Sequence, residues 1–429
     1  MSKVKLADVV ERSVGGGTPA RDVASFWNGP IPWATVKDFK DGVRHLSAVQ
    51  ESITKLGLNS SASNLIPAGT PIICMRMGVG RVATAPMPIA INQDLRALFV
   101  GAAYDADFVV WSLDGIRSQI ENEAIGSTVK GISVDRLLSF EILDTTLPEQ
   151  SKVADVLSTV DRAIAQTEAL IAKQQRIKTG LMQDLLTRGI DEHGQLRSEA
   201  THAFKDSPLG RIPVEWEVKS LGAALDEAKG YLQTGPFGSQ LHAYEYTHSG
   251  VPVVMPQDIL QGSVSTANVA RVPETRAHDL RRHRVMENDI VFARRGDLSR
   301  AAAIGTREFG WLCGTGCFLL RVPLRNMAAK WLAHLYRYHW IQRQIETNAV
   351  GSTMPSLNNG VMARLVVPIP SVDEQHKIAC RIDSMDRELE LLEQQLDKQQ
   401  SLKTALMQDL LTGKVRVTPL LQPSKEAIA

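Results

Sequence analysis

Cysteine is scarce in this chain: 429 residues hold four, Cys74, Cys313, Cys317 and Cys380. So few thiols exclude a disulfide-stapled secreted scaffold and predict reduced cysteines in a cytosolic setting. A surplus of either charge is also lacking. The 48 Lys and Arg against 47 Asp and Glu leave a net charge of +1, which excludes a polybasic protein but leaves room for local basic patches. No run of about 18 apolar residues occurs, so no membrane-spanning helix is expected. The first residues, Met1 to Arg12, lack the apolar core of a signal peptide. A soluble cytoplasmic protein is the expectation. With 44% apolar and 22% charged residues, the chain is not wholly disordered, and its length allows two or three domains with more than one core.

The motifs of common chemistries are missing too. There is no phosphate loop of the Gly-x-x-x-x-Gly-Lys-Ser/Thr type and no His-Glu-x-x-His pair. Nor is there an Asn-Pro-Pro-Tyr or Asp-Pro-Pro-Tyr segment, such as amino-methylating enzymes carry. Gly15-Gly16-Gly17 and Gly78-Val79-Gly80 fit no cofactor fingerprint and read as turns. Cys313 and Cys317 lack a second ligand pair and read as core thiols on strands, not a zinc site. Glu227-Ala228-Lys229 has no partner acid to complete a nuclease centre. No catalytic residue, metal or cofactor site is expected.

What is present is a repeat. Residues 149–187 match residues 374–412 at an offset of 225, identical at 19 of 39 positions and throughout Leu181–Thr187 against Leu406–Thr412. Fainter echoes lie upstream. Ile31-Pro32 and Asp38 line up with Val251-Pro252 and Asp258, and Ile72–Gly78 with Ile290–Gly296, at offsets of 220 and 218. The pattern is a tandem duplication of a variable globular part followed by a nearly invariant helical part.

The helical parts carry apolar residues in steps of four and three: Val153, Leu157, Val160 and Ile164 in the first, Ile378, Ile382, Met385 and Leu389 in the second. That is a coiled-coil seam. It is interrupted by Thr167, Gln174 and Lys178 in one segment and by Gln399 and Lys403 in the other, positions that cost stability but fix register. Pro148 and Pro370 mark the starts, and Gly189 and Gly413 the left-handed caps at the ends. A helix of about 38 residues is roughly 57 Å long and cannot bury its stripe alone. The two are expected to pair with each other, and an antiparallel pairing would relate the halves by an approximate twofold axis.

The globular parts mix short Val- and Ile-rich runs, Thr70–Arg76, Asp289–Ala293 and Leu365–Pro368, that read as strands between loops. A helix is expected over Ala328–Thr347, a polar linker over Arg188–Ile212, and a fraying tail after Val417. Between Ala200 and Val367, 19 Lys and Arg face 14 acids, and Arg271–Arg307 alone holds nine Arg against five acids. Such a cluster suits phosphate contact or a solvated face equally. Met1–Thr146, with 14 basic and 15 acidic residues, shows no surplus.

Two long segments opening Leu147-Pro148-Glu149-Gln150 and Ile369-Pro370-Ser371-Val372-Asp373-Glu374-Gln375, and both ending Leu-Met-Gln-Asp-Leu-Leu-Thr, resemble the specificity subunits of type I restriction–modification systems. So do Asp206–Trp216, Gly235-Pro236-Phe237-Gly238-Ser239 and Asn92-Gln93-Asp94. The resemblance covers nearly the whole chain. It implies an α+β fold of two mixed α/β target-recognition domains joined by two long antiparallel coiled-coil helices in a pseudo-twofold tandem repeat. The expected divisions are 1–147 for the first recognition domain, 148–190 for the first helix and 191–213 for a linker. Residues 214–370 form the second recognition domain, 371–413 the second helix and 414–429 the tail. The family's role is to read a bipartite, asymmetric site on double-stranded DNA. It docks two methylation subunits, which bind S-adenosylmethionine, and a motor-nuclease restriction subunit using ATP and Mg can join. The specificity subunit itself has no catalysis.

Residue type and loop position then nominate DNA contacts. In the first half these are Thr18, Lys37, Arg76, Arg81 and Gln93; in the second, Ser239, Gln257, Arg294, Arg295 and Arg300; Thr128 and Thr353, before the helices, are candidates for holding phosphates. Two other readings compete: a standalone DNA-modifying enzyme, against which the missing motifs argue, and a coiled-coil scaffold that never touches DNA, against which the Arg-rich second half argues.

Overall fold

The structure, a computed structural model, describes residues 2–126, 130–349 and 356–421. The chain forms two compact units, Met1–Ala169 with Glu393–Ala429, and Leu170–Leu392. Two long helices, Leu147–Thr187 and Val372–Leu410, organise both. Each begins in one unit and ends in the other.

In the first unit, one four-stranded antiparallel sheet runs in the order Val10–Gly15, Leu95–Val100, Ile72–Cys74, Val82–Ala83. A second sheet has Trp27–Ala34 between Glu51–Ile53 and Ile89–Ile91, the latter parallel to it, with Asn64–Ile66 at the edge. The helix Ala106–Gly115 starts at an Asp105 cap, whose carboxylate accepts from the Phe108 amide. It buries Phe108, Trp111 and Leu113 against Val153 and Leu157 of the first long helix. Leu410 joins this core, and Leu406, Met407 and Leu411 pack on it from the end of the second long helix. The two helical stretches run antiparallel here: Glu149 meets Arg416, and further on Asp161 pairs with Lys403.

The second unit repeats this plan. Its main sheet runs Tyr231–Thr234, Cys317–Arg321, Ile290–Ala293, Ala301–Ala303, Gln261–Gly262. Its smaller sheet places Val251–Val254 between Arg271–Val272 and the parallel strand Leu312–Cys313. Leu185 and Leu186, ending the first long helix, lie in one core with Trp331, Leu335, Ile378 and Ile382. The helices are antiparallel here also, with Gln174 Nε2 donating to Glu388 Oε1 at 2.9 Å and Lys178 paired to Asp386.

This explains the invariant ends. The leucines of each Leu-Met-Gln-Asp-Leu-Leu-Thr segment fill the core of the unit that the other long helix opens. The Glu-Gln openings match as closely. Gln150 Oε1 accepts from the Asp105 amide (2.8 Å) and its Nε2 donates to Thr145 O (2.8 Å); Gln375 does the same with Ala328 (2.9 Å) and Pro370 (3.0 Å). The seam lysines Lys178 and Lys403 are equivalent under the repeat, and so are their partners Asp386 and Asp161. A charge inside each seam is thus compensated, which fits a role in fixing register. Gly189 and Gly413 take φ of 64° and 74°, the left-handed caps expected of them.

Three expectations change. Ala328–Thr347 is two helices, Ala329–Tyr336 and His339–Asn348. The break falls at Tyr338, whose backbone is extended and whose ring is buried against His339 and Trp340; tertiary packing overrides a sequence with no Pro or Gly there. The upstream echo shifts by one residue. Cys74 N donates to Arg81 O as Ala293 N donates to Arg300 O (2.8 and 3.0 Å), so Arg76 corresponds to Arg295, not Arg294. The tail opens on a structured segment. Thr418–Leu421 forms a 3-10 turn and Thr418 Oγ1 donates to Glu149 Oε1 at 2.5 Å. The stretch 188–216 carries a hairpin, Phe204–Ser207 with Gly210–Pro213, and a buried ion pair of Arg197 with Glu374. No helix among the described residues is long and apolar enough to cross a membrane.

Candidate nucleic-acid interface

In each unit, loops leaving the two sheets bring most of the nominated residues together. The first is the turn after Trp27–Ala34 in the first unit and after Val251–Val254 in the second, in each case the strand with a parallel neighbour. In the first unit Val36–Asp38 is a 3-10 turn closed by Asp38 Oδ2, which accepts from the Thr35 amide at 2.8 Å. In the second, Asp258 Oδ2 accepts from the Met255 amide at 2.9 Å around Pro256–Asp258. These caps leave Lys37 and Gln257, equivalent positions, exposed at the crest.

An arginine braces each turn from the main sheet. Arg81 Nη1 donates to Phe39 O (3.1 Å) while Nε and Nη2 fork onto Asp41 (3.1 and 3.2 Å). Arg300 Nη1 donates to Gln257 O (3.0 Å) while Nε pairs with Asp297 (3.1 Å). Both guanidinium groups are largely committed inside the protein, so they position the crest. Asp41 also binds Arg117 (2.6 Å), and the hydrogen bond from Arg117 holds its carboxyl below the usual range.

Arg76 and Arg295 differ from these. Each follows its strand by two residues, is exposed, and bridges by its backbone to a later segment, Arg76 to Gly131 and Arg295 to Ser356. Neither side chain has a partner among the described residues. Thr128 and Thr353 lie outside the described residues. Arg294 is half-buried. Its Nε donates to Leu357 O at 3.1 Å, and its guanidinium stands 5.7 Å from the Phe237 ring and 6.0 Å from Phe318.

The third contribution is the loop after the first strand of the main sheet. Gly16 and Gly235 are pressed against backbone, so that a Cβ would lie 1.9 Å from Ile91 O and 2.0 Å from Gly314 O. Only glycine lets these loops turn there. Beyond them, Thr18 Oγ1 donates to Gln93 Oε1 at 2.6 Å, and Ser239 is exposed. The first unit therefore joins Thr18 to Gln93, while the second gathers Gln257, Arg294 and Arg300 around the turn at Gly314–Gly316, where Arg294 N donates to Gly316 O at 2.8 Å.

Type and loop position did not reveal Arg21 and Glu51. Their side chains fork onto one another, with Nη2 to Oε2 at 3.1 Å, and Arg21 lies 4.0 Å over the Trp27 ring. The signal exists only across strands, 30 residues apart. Exposed Tyr244 of the second unit was likewise not singled out.

One His–Asp cluster could suggest a metal: His334, Asp383 and Asp386. Its charges are already answered. His334 Nδ1 accepts from Arg337 Nη2 (2.6 Å), its Nε2–H then faces Asp383 Oδ1 (2.8 Å), and Lys330 and Lys178 pair with the two aspartates. Burial pushes the His334 ring down, toward the neutral form. Burial alone would raise Asp383, but the hydrogen bonds from His334 and Lys330 outweigh it and bring the carboxyl down to about 2. Cys313 and Cys317 are buried and unpaired by disulfide, as are Cys74 and the exposed Cys380.

Comparison with known proteins adds to this geometry. Residues 1–175 and 265–399 match the family model described as "Type I restriction modification DNA specificity domain". The chain is similar to the MjaIX specificity subunit of a type I restriction enzyme from Methanocaldococcus jannaschii, 23% identical over 97% of this chain and 94% of that protein. It is also similar to the EcoR124I/EcoR124II specificity subunit of Escherichia coli, 29% identical over 34% of this chain and 38% of that one. In fold it resembles the S subunit of a type I restriction–modification system from M. genitalium, with a TM-score of 0.60 and 16% identity over 96% of both chains.

Proposed function

Because the chain belongs to the type I restriction modification DNA specificity domain family, we propose that it is the DNA-reading subunit of a type I complex, with each unit reading one half of a bipartite site. One observation supports this most. The two units share a strand plan and the same braced turn, yet present unlike side chains at its crest, Lys37 against Gln257. Equal scaffolds with unequal reading residues suit an asymmetric site, whereas identical ones would suit a palindrome. Arg76 and Arg295, exposed and without a side-chain partner among the described residues, serve phosphates or base edges, and the braced Arg81 and Arg300 hold the crests in place.

In this reading the chain contributes no catalysis. Two methylation subunits bind it and supply S-adenosylmethionine and the methyl transfer, and a restriction subunit brings ATP and Mg. The long helices, each shared by both units, set the interval between the half-sites. Double-stranded DNA is the ligand and no membrane is involved. Incubating the chain with duplex DNA and labelled S-adenosylmethionine tests this. No methyl transfer is expected without the methylation subunit, and site-specific transfer with it. Binding by the complex should weaken steeply as salt rises. Methyl transfer by the chain alone contradicts the proposal.

A further inference from the structure

The first unit carries an arginine built like a reading head. The loop after Val10–Gly15 is pinned by two indoles, Trp33 Nε1 donating to Gly17 O (3.1 Å) and Trp27 Nε1 to Ala20 O (3.0 Å). The two rings pack edge to face at 5.2 Å. Arg21 follows directly and stands against this pair of rings, its guanidinium carbon 4.0 Å from the Trp27 ring centre and 5.1 Å from that of Trp33. Glu51, on the neighbouring strand opposite Trp33, closes the fork onto its two Nη atoms. A guanidinium held by a carboxylate at one end and an aromatic ring beside it has lost most of its rotational freedom before any ligand arrives.

It is nevertheless available. The Arg21 side chain is 55% exposed. An arginine has five N–H groups, and the fork uses two of them. Among the described residues, no hydrogen bond uses the edge formed by Nε–H and a second Nη–H. That edge matches the O6 and N7 acceptors of guanine in the major groove. Arg21 also belongs to the surface described above. It sits three residues from Thr18, and Lys37 lies near enough to help the Arg21 hydrogen bond hold the Glu51 carboxyl below its usual value. The second unit shows what a purely structural arginine looks like at its corresponding sheet. Arg276 pairs with Glu245 (2.7 Å) and Asp279 (3.3 Å), donates to Gln240 O, and is only 27% exposed.

We propose that Arg21, oriented by Glu51 and Trp27, reads a guanine in the half-site of the first unit. This rests on the DNA-reading function proposed above and adds the residue and the base. The test uses the complex of the full chain with its methylation subunit, assayed for methylation of a duplex series carrying every single substitution of its own site. Arg21→Ala should relax one guanine position, lowering discrimination there by about 5- to 150-fold, and leave the other positions unchanged. Arg21→Lys keeps the charge but loses the planar edge, so it should not restore discrimination. Glu51→Gln keeps the shape and should weaken discrimination at that same position; it answers the question if Arg21→Ala misfolds. Arg136→Ala, which breaks an exposed ion pair with Glu123 elsewhere in the unit, is the control expected to change nothing. The proposal is overturned if Arg21→Ala discriminates as the wild type does, or slows all sites alike, as loss of a phosphate contact or of loop structure would. A wild-type complex with no sequence preference at all would instead bring down the DNA-reading function, and this assignment with it.

Discussion

Glu374 offers the sharpest test of how the long helices are anchored. Four donors converge on this buried carboxylate: Arg197 Nη1 (2.5 Å) and Nη2 (3.2 Å), the Ile190 amide (2.9 Å) and Trp216 Nε1 (3.2 Å). The side chains of Arg197 and Glu374 are 9% and 7% exposed. Replacing Glu374 by Ala leaves a guanidinium and two N–H groups buried without their acceptor. Removing one partner of a buried pair costs about 3–5 kcal/mol. The equivalent Glu149 accepts from Thr145, Thr418 and Arg416, but Arg416 is 57% exposed and returns to water when the carboxylate goes. Losing hydrogen bonds alone costs about 1–3 kcal/mol. Hydrogen exchange read by mass spectrometry separates the two, because each change acts locally. Glu374→Ala should raise exchange across 188–216 by roughly two to four orders of magnitude, and Glu149→Ala should raise exchange at the start of the first long helix by clearly less. Equal effects at both sites, or protection across 188–216 unchanged in Glu374→Ala, would refute the argument that burial of the cation decides the cost.

Other outcomes follow from the same structure. The Glu149 carboxyl is held down at about 2 by hydrogen bonds from Thr145, Thr418 and Arg416; a depressed carboxyl stabilises the fold above its unfolded value near 4.3 and loses that contribution as pH falls toward 2. Acid titration of protection at this helix start should show that loss, and Glu149→Gln should flatten it. Asp383, also down at about 2, predicts the same behaviour for the His334 cluster, so Asp383→Asn should lower stability at neutral pH and remove the acid dependence below about 4. Leu157, fully buried where the first long helix meets its unit, should cost about 2–5 kcal/mol as Ala, measured by denaturant midpoint. Inserting seven residues into both long helices lengthens each by about 10 Å, and should widen the spacer of the methylated site by about three base pairs.

Much of this organisation was legible because it repeats. Identity at an offset of 225 found both long helices, and apolar steps of four and three found their seam. Their partners were not legible, because a leucine at Leu185 or Leu410 shows that it wants burial but not in which core. The Glu-Gln openings could be quoted without a reason until Gln150 and Gln375 were seen tying helix starts together. Residue type nominated arginines evenly, and only the fold separates the braced Arg81 and Arg300 from Arg76 and Arg295, whose side chains are exposed. Arg21 escaped because its credentials, Glu51 and Trp27, are supplied by neighbouring strands and not by the local sequence.

The most direct test maps methylated adenines across the genome of a host that expresses this chain with its methylation subunit. If the two unlike units read the DNA as proposed, one bipartite site with two unlike halves at a constant spacing is expected. A palindromic or unspaced site, or methylation without sequence preference, would contradict it.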